Sequence, residues 1–495
     1  MSELERYDAV VIGSGEGGKY LAWHMAQAGQ RTAVVERRWI GGSCPNINCL
    51  PSKNEIWSAG VANIVARAEE FGVTTGPVSV DMAKVLERKR DMVEGLIALH
   101  LERYEASGAE LIMGHARLVA PKTVEVILNN GETRRLITGK LFLNLGTHAS
   151  IPLVPGLVEA KPLTNIEALE LGQLPGRLIV LGGGYVGLEL AQAYRRFGSR
   201  VTIIDGGPRL LGREDPDASE EVRNILDAEG VEVLLSTKVE RVDGRSGEHL
   251  RLSVRTPDGH KTLEGTDLLV AAGRTPNTQG VGLEEAGVEL TDRGYIRVNE
   301  RLETTAPDTW AIGECAGSPQ FTHISLDDFR VIRDNLSGGY RTTAGRLVPY
   351  CLFIDPPLAR VGMSEREARD SGVHVRVAKL PTRAVLRTRT TSDSTGFMKA
   401  LVGDDDRIVG FAMIGPDAGE VMAVVQIAMM AHLPYTTVRE AILTHPTMAE
   451  GLNALFSMCP AGANVLVAGT AIFGESEGVT AAMTPLRATI NQVMN

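Results

Sequence analysis

One pattern occurs twice in this sequence and restricts the fold more than any other feature does. A short apolar run leads into a glycine-rich turn, a stretch with helical periodicity follows, and a second apolar run ends at an acidic residue. The glycines and the acid have the same spacing in both copies. They are Gly13, Gly15, Gly18 and Glu36 in the first copy, and Gly182, Gly184, Gly187 and Asp205 in the second.

Each copy predicts a strand–turn–helix–strand unit. Strands are expected at residues 7–12 and 32–36 in the first copy, and at residues 177–181 and 201–205 in the second. One such glycine turn is weak evidence, because it can join buried elements in many folds. Two copies in the same context, each with a matched acid, predict two Rossmann-like units in an α/β fold.

These units have the features of dinucleotide-binding sites. Glycine lets the backbone approach a pyrophosphate, and the helix N-terminus supplies free N–H groups and a partial positive charge. The acid at the end of the second strand can accept hydrogen bonds from a ribose. Two dinucleotides on one chain indicate FAD and a nicotinamide dinucleotide, between which hydride passes.

The length of 495 residues predicts about three domains. Residues 1–150 are expected to begin an FAD-binding domain, which residues 274–346 complete, with an NAD(P)-binding domain inserted at 151–273. Residues 347–460 predict a separate α/β domain, with a strand near 407–414 and a helix near 420–431. The tail, 461–495, is rich in alanine and glycine and has no assigned role.

Composition excludes two classes of partner. The net charge is −10, and basic residues form no stripe, so nucleic-acid binding is not expected. No apolar run approaches the roughly 20 residues of a membrane span, and the N-terminus lacks the apolar core of a signal peptide. We therefore expect a cytoplasmic protein that does not contact membranes.

Two of the five cysteines, Cys44 and Cys49, lie in the segment GGSCPNINCLPSK, directly after the first dinucleotide unit. Cysteines at this spacing can be metal ligands, small core residues or a redox pair. A zinc site would need a second close Cys/His pair, which the sequence lacks, so no metal site is expected. The position beside a flavin-type turn favours a redox pair.

This segment resembles the active-site signature of the class I pyridine nucleotide-disulfide oxidoreductases, which include lipoamide dehydrogenase, glutathione reductase and mercuric reductase. The resemblance extends over about residues 5–457. Four further stretches fit that family: GTHASIP (146–152), AAGRTPN (271–277), AIGECAG (311–317) and HPTMAE (445–450). The resemblance implies two Rossmann-like domains, for FAD and NAD, followed by a C-terminal dimerisation domain.

The resemblance also implies a role for individual residues. Cys49 would lie against the flavin as a charge-transfer thiolate, and Cys44 would exchange with the substrate. Lys53 would lie near flavin N5, paired with Glu189, and Tyr185 would cover the nicotinamide pocket. His445, oriented by Glu450, would be the acid/base in the other subunit's site, which requires a homodimer. Further cofactor contacts are expected from Gly42, Gly146, Gly273 and Glu314, the last replacing the aspartate usual in the family.

The nicotinamide and the substrate are less constrained. Asp205 favours NADH because it would repel the 2′-phosphate of NADPH, although Arg209 lies nearby. The second dinucleotide unit looks most like the mercuric reductase branch, but the tail has only Cys459 where mercuric reductases carry a cysteine pair. The intact His445 favours a small disulfide or a thiol-linked oxidant as the substrate. A metal-ion reductase and a non-enzymatic flavoprotein subunit of a larger complex remain the alternatives.

Overall fold

The structure is a computed structural model that describes residues 4–460. The predicted tail, 461–495, lies outside the described residues. The first part of the chain folds into β1 (Leu4–Ile12), α1 (Glu16–Gln27), β2 (Thr32–Glu36), α2 (Ser43–Asn46), α3 (Cys49–Ala66), α4 (Met82–Ser107), β3 (Glu110–Ala120), β4 (Thr123–Leu128), β5 (Thr133–Leu143) and β6 (Thr147–Ala149). The next part folds into α5 (Asn165–Ala168), β7 (Arg177–Leu181), α6 (Tyr185–Phe197), β8 (Arg200–Ile204), α7 (Pro216–Ala228), β9 (Glu232–Leu234), β10 (Lys238–Arg245), β11 (His249–Thr256), β12 (Gly259–Gly265) and β13 (Asp267–Val270).

The remainder begins with β14 (Arg274–Pro276), β15 (Thr309–Ala311) and α8 (Thr322–Leu336). It continues with β16 (Tyr350–Leu352), β17 (Leu358–Gly362), α9 (Glu365–Asp370), β18 (Val375–Pro381), α10 (Leu386–Thr391), β19 (Phe397–Gly403), β20 (Ile408–Ile414), α11 (Ala418–Met430), α12 (Tyr435–Arg439) and α13 (Gly451–Ser457). Short 3₁₀ helices occupy Ala68–Phe71, Gly313–Ala316 and Thr382–Ala384.

The first sheet contains five parallel strands in the order β3-β2-β1-β5-β15, and β4 pairs antiparallel with β3 and β5. Val10 and Val11 in β1 are fully buried, as expected for a parallel strand that is covered on both faces. β15 comes from much later in the chain and pairs with β5, so the chain returns to this sheet after β13.

The second sheet is also parallel, in the order β13-β7-β8-β9, and a three-stranded antiparallel sheet, β10-β11-β12, follows β9 along the chain. Strands β6 and β14 pair with each other where the chain leaves the first sheet and where it returns. The domain limits at 150, 273 and 346 stay predictions, and the β6–β14 pairing is consistent with the first two.

The last sheet is antiparallel, in the order β16-β17-β20-β19-β18, with α11 packed on β17 and β20. The apolar core of this region includes Val361, Phe411, Val425 and Phe456, all nearly inaccessible to solvent. None of the described helices is both long and apolar enough to cross a bilayer.

The predicted elements form, and several limits differ by a few residues. β1 starts at Leu4 rather than at residue 7, because its first residues continue the pairing with β5. β8 ends at Ile204, so Asp205 follows the strand instead of ending it. In the last region, the strand predicted at 407–414 is β20, Ile408–Ile414, and the helix predicted at 420–431 is α11, Ala418–Met430.

Candidate active site

The first glycine turn connects β1 to α1 and contains Gly13, Gly15 and Gly18. Gly42, in the loop before the cysteine pair, packs directly on it: a Cβ atom at Gly42 would lie 2.4 Å from the Gly15 Cα atom, and its φ is +82°. Only glycine fits this position. The cysteine loop is therefore held against the N-terminus of α1, where a pyrophosphate would bind.

The Glu36 carboxylate lies at the rim of this turn and is nearly buried. One oxygen accepts from the Ser14 N–H at 2.9 Å and from the Ser14 hydroxyl at 2.7 Å. The other accepts from the backbone of Arg38 and Trp39 at 2.8 and 3.0 Å. A ribose hydroxyl can replace the Ser14 hydroxyl, which also lies 3.0 Å from the Trp39 carbonyl and can donate there. The carboxylate therefore fits the adenosine ribose of FAD.

An acidic residue with no predicted role lies in the first turn of α1. Glu16 would repel a pyrophosphate at this helix end, but its carboxylate lies 2.7 Å from the ammonium of Lys19. Lys19 is almost buried, and its Nζ also lies 2.8 Å from Nε2 of His100. The His100 Nδ1 lies 2.6 Å from the Leu96 carbonyl, so Nε2 is the acceptor for Lys19. This ion pair keeps the helix N-terminus compatible with an anion.

The second glycine turn, Gly182 to Gly187, connects β7 to α6 and is open on one side. A Cβ atom at Gly184, the residue before α6, would meet nothing within 4 Å. The Asp205 carboxylate lies beside this turn, where its two oxygens accept from the N–H groups of Gly183 and Gly207, each at 2.6 Å. Each oxygen keeps one lone pair for a ribose hydroxyl. The turn therefore fits a second dinucleotide.

The two cysteines belong to consecutive helices. Cys44 is in the one-turn helix α2, and Cys49 is the first residue of α3, where the helix dipole favours a negative charge. The Sγ atom of Cys49 lies 3.2 Å from the Thr322 hydroxyl at the start of α8. Asn165, from the α5 helix, donates to the Ile47 carbonyl at 2.8 Å and so braces the loop between the thiols.

The environment gives the two thiols opposite acidities. Hydrogen bonds from Cys44 and Thr322, together with the charge of Lys53, lower the pKa of Cys49 to about 6. The hydrogen bond to Cys49 and burial raise the pKa of Cys44 well above its ordinary value. The pair therefore shares one proton, with Cys49 as the thiolate and Cys44 as the S–H donor.

The other three cysteines keep their protons. Burial raises the pKa of Cys315 to about 11 and that of Cys351 to about 12, and it raises the pKa of Cys459 as well. Because thiolates are the reactive form, these residues are inert by comparison with Cys49. Cys459 is also nearly buried, which opposes a role as a metal relay.

A partly buried ion pair follows the cysteines. The Lys53 ammonium on α3 lies 2.6 Å from the Glu189 carboxylate on α6, and only 6% of the Glu189 side chain is exposed. The Phe353 N–H donates to the same carboxylate at 2.8 Å, and Lys53 lies 4.8 Å from the Phe353 ring centre. Tyr185 is one helical turn before Glu189, on the same face of α6.

Glu314 is held by protein groups rather than facing open space. Its carboxylate accepts from the Thr147 hydroxyl and lies 3.3 Å from the Arg274 guanidinium. Gly146 and Gly273 flank the paired strands β6 and β14 in the same area, and both have positive φ. The glutamate side chain, which is longer than the aspartate usual in the family, therefore reaches Arg274.

His445 and Glu450 form a pair at the surface. The Nδ1 atom of His445 lies 2.8 Å from the Glu450 carboxylate, and 64% of the His445 side chain is exposed. Within residues 4–460, His445 makes no hydrogen bond to either Cys44 or Cys49. This pair is not joined to the thiols of its own chain.

Large apolar side chains are exposed on two helices. Trp57, Val61 and Ile64 repeat along one face of α3, and Ile427 and Met430 are exposed on α11. Exposed apolar surface of this kind is typical of protein–protein interfaces.

A family model described as "Pyridine nucleotide-disulphide oxidoreductase" matches residues 7–328, and the model of that family's dimerisation domain matches residues 348–455. The chain therefore belongs to the pyridine nucleotide-disulphide oxidoreductase family. The predicted family and the predicted fold, two dinucleotide-binding domains and a dimerisation domain, are confirmed. Membership also makes the chain an FAD-dependent oxidoreductase that uses NAD(P)H.

Relatives of three kinds align over most of the chain. The probable pyridine nucleotide-disulfide oxidoreductase RclA of Escherichia coli (strain K12) is 37% identical over 463 residues, which cover 92% of this chain and 100% of RclA. A solved structure of RclA, a Cu(II) complex of the HOCl-induced flavoprotein disulfide reductase, matches with a TM-score of 0.83 and 36% identity, covering 92% of this chain and 99% of that one.

The dihydrolipoyl dehydrogenase of Geobacillus stearothermophilus is 32% identical over 444 residues, covering 90% of this chain and 94% of the enzyme. The mercuric reductase of Bacillus cereus is 33% identical over 456 residues, covering 90% of this chain and 70% of that enzyme. These two identities are too similar to distinguish a lipoamide-type from a mercuric-type substrate.

Proposed function

We propose that this enzyme passes electrons from NADH through FAD and the Cys44–Cys49 pair to a small disulfide or a comparable thiol-linked oxidant. The observation that carries the proposal is the thiol pair at the start of α3, in which one shared proton leaves Cys49 as a thiolate. The Lys53 ammonium, which is held by Glu189, helps to lower the pKa of Cys49.

Bound FAD would supply the two-electron step between NADH and the cysteine disulfide. Side chains of the protein would carry out the thiol–disulfide exchange that follows. Reduction of that disulfide breaks the S–S bond and leaves one thiol on Cys44 and one thiolate on Cys49. Cys44 then loses its proton and attacks the substrate disulfide, which releases one thiolate and forms a mixed disulfide. The Cys49 thiolate displaces the second product from Cys44 and re-forms the internal disulfide. The sum is RSSR + NADH + H⁺ → 2 RSH + NAD⁺.

The proton of Cys44 needs an acceptor, and the first leaving thiolate needs a donor. We assign both tasks to His445 of the partner subunit, because among residues 4–460 of its own chain the His445 ring is bonded to Glu450 and not to either thiol. The Glu450 carboxylate accepts from Nδ1–H, which leaves Nε2 free to take and return the proton. The dimerisation domain supports this arrangement, as does the exposed apolar surface on α3 and α11.

A second candidate activity is the reduction of a metal ion by the same thiols. It is favoured by one observation, that solved RclA is a Cu(II) complex. Soft thiolates bind such cations well. The raised pKa of Cys459 opposes a relay through that residue, and the His445–Glu450 pair serves proton transfer, which metal reduction does not need.

Turnover with NADH against a panel of acceptors tests the proposal. The panel contains lipoamide, glutathione disulfide, other small disulfides, mercuric ion and cupric ion. The proposal requires that at least one disulfide turn over faster than either metal ion, and that Cys44→Ser abolish this turnover. Faster metal reduction that tolerates His445→Ala would establish the second candidate instead.

NADH is expected to be preferred over NADPH by about tenfold or more in kcat/KM. A 2′-phosphate would lie against the Asp205 carboxylate, which is fixed by two backbone N–H groups and cannot turn away. One unfavourable charge contact of this kind costs more than ~1.4 kcal/mol. Steady-state kinetics with both nucleotides measures the ratio. A preference for NADPH would assign the choice to Arg209, and Arg209→Ala is the variant that would then reverse it.

The active site is expected to be shared between subunits. The Cys44→Ala homodimer should be inactive with the disulfide substrate, and the His445→Ala homodimer should be slowed by about 10²–10⁴-fold. After subunit exchange, each mixed dimer has one site in which both groups are intact, so part of the activity should return. Exchange is verified with a tag on one variant. No recovery despite verified exchange would show that His445 acts in its own subunit or not at all.

A further inference from the structure

The Tyr185 ring lies between the second glycine turn and the thiol centre. Tyr185 is the first residue of α6 and follows Gly184 directly. Its ring centre is 5.7 Å from that of Tyr350 and 6.5 Å from that of Phe321. Phe321 precedes Thr322, whose hydroxyl contacts Cys49 Sγ at 3.2 Å. The Tyr185 ring therefore stands next to the turn that fits the second dinucleotide, on the side of Phe321 and the thiol centre.

One buried carboxylate fixes that ring in place. The Tyr185 hydroxyl donates to Oε1 of Glu214 at 3.2 Å, and the Tyr350 hydroxyl donates to the same oxygen at 2.5 Å. The Arg360 guanidinium lies 3.4 Å from the other oxygen. Glu214 and Arg360 are only 2% and 6% exposed, so the carboxylate cannot move into solvent.

The two phenols keep their protons. Burial and the charge of Glu214 raise the pKa of Tyr185 and of Tyr350 well above the ordinary value, so both remain hydrogen-bond donors. A hydrogen bond to an ionised acceptor is stronger than one between neutral groups. Tyr350 also stacks on Phe321, with ring centres 5.5 Å apart and planes 3° from parallel. The anchor of the ring is therefore itself rigid.

We propose that Glu214, held by Arg360 and Tyr350, is a positioning residue that keeps the Tyr185 ring across the nicotinamide path. The dinucleotide must then break the Tyr185–Glu214 hydrogen bond before the nicotinamide can reach the flavin side of Lys53. The inference rests on the proposed function only in taking a nicotinamide dinucleotide as the electron donor. Because Tyr350 and Arg360 belong to the last sheet, this contact also links nicotinamide entry to the dimerisation region.

Tyr185→Phe tests the proposal, because it retains the ring and removes only the hydroxyl. The dissociation constant of NAD⁺ from the oxidised holoenzyme, measured by calorimetry, is expected to fall about three- to tenfold, the range that one net hydrogen bond supplies. Glu214→Gln should lower it in the same direction. The double variant should bind NAD⁺ no more tightly than the better single variant, because both changes remove the same restraint.

Tyr194→Phe is the matched control. It removes a hydroxyl from the same helix. This hydroxyl donates to the Ala168 carbonyl at a distance of 2.5 Å, and it lies away from the glycine turn. Both variants lose a buried hydrogen bond and are expected to lower the thermal midpoint, but only Tyr185→Phe should change the NAD⁺ dissociation constant. The proposal is overturned if Tyr185→Phe binds NAD⁺ like the wild type. It is also overturned if the effects of Tyr185→Phe and Glu214→Gln on the NAD⁺ dissociation constant are additive in the double variant. If the wild type binds neither NAD⁺ nor NADP⁺, the proposed function itself fails.

Discussion

His445→Ala is expected to slow turnover of the disulfide substrate by about 10²–10⁴-fold, the usual contribution of a general acid–base. Reduction of the enzyme by NADH should keep its wild-type rate, because that half-reaction uses Lys53, Glu189 and the thiols. The difference follows from the role proposed for His445, which is limited to the proton of Cys44 and that of the leaving thiolate. Rapid mixing with NADH alone, and then of the reduced enzyme with the disulfide, measures the two halves separately.

The chain contains a matched control for this substitution. His374 forms a second exposed histidine–carboxylate pair, with Nδ1 2.7 Å from Asp404, and lies on no proposed path. His374→Ala should therefore leave both half-reactions unchanged, while Glu450→Gln should slow only the disulfide half. If His445→Ala behaved like His374→Ala, or slowed both halves equally, the acid–base assignment would be wrong.

Glu55→Gln is expected to stabilise the protein strongly at alkaline pH. Glu55 on α3 is completely buried, and neither of its carboxylate oxygens has a hydrogen-bond partner among the described residues. Burial raises the pKa of this carboxyl to about 8, from 4.5 for an unburied glutamate. The folded state thus prefers the protonated form of Glu55. The stabilisation that comes from this preference is fully present below pH 4.5 and is lost as the pH rises through 8. Complete ionisation costs on the order of 5 kcal/mol.

Thermal midpoints of the wild type and of Glu55→Gln between pH 5 and pH 9 measure this effect. The two midpoints should be close at pH 5 and should separate progressively towards pH 9, with the variant higher. Glu69→Gln is the control, because Glu69 is an exposed glutamate a few turns further along the chain. Parallel curves for the wild type and Glu55→Gln would show that this carboxyl is solvated or paired after all.

The sequence could predict those parts of the fold and site that depend on local pattern. The glycine turns and the runs around them predicted β1, α1 and the second unit, because strand and helix periodicity are properties of short segments. The closely spaced Cys44 and Cys49 and the stretch HPTMAE were recognisable for the same reason. The limits of the strands were less predictable, because they depend on pairing with strands from elsewhere in the chain, as the start of β1 depends on β5.

Residues that reach the site from distant parts of the chain could not be predicted. Thr322 and Asn165 contact the cysteine loop from helices α8 and α5, and nothing in their own segments marks them. Glu214 follows a basic residue in a polar loop, and only packing against the last sheet buries it. Glu55 stands in the polar sequence SKNE, which indicates a solvent-facing position, yet the neighbouring helices α4 and α6 cover it.

The absorbance spectra of the oxidised Cys44→Ser and Cys49→Ser holoenzymes test the central claim most directly. With Cys44→Ser, the Cys49 thiolate cannot form the internal disulfide and stays beside the flavin. A long-wavelength charge-transfer band should therefore be present without any reductant, and it should disappear when acid protonates Cys49. Cys49→Ser should show no such band at any pH. A Cys49→Ser enzyme that kept both the band and disulfide turnover would contradict the account.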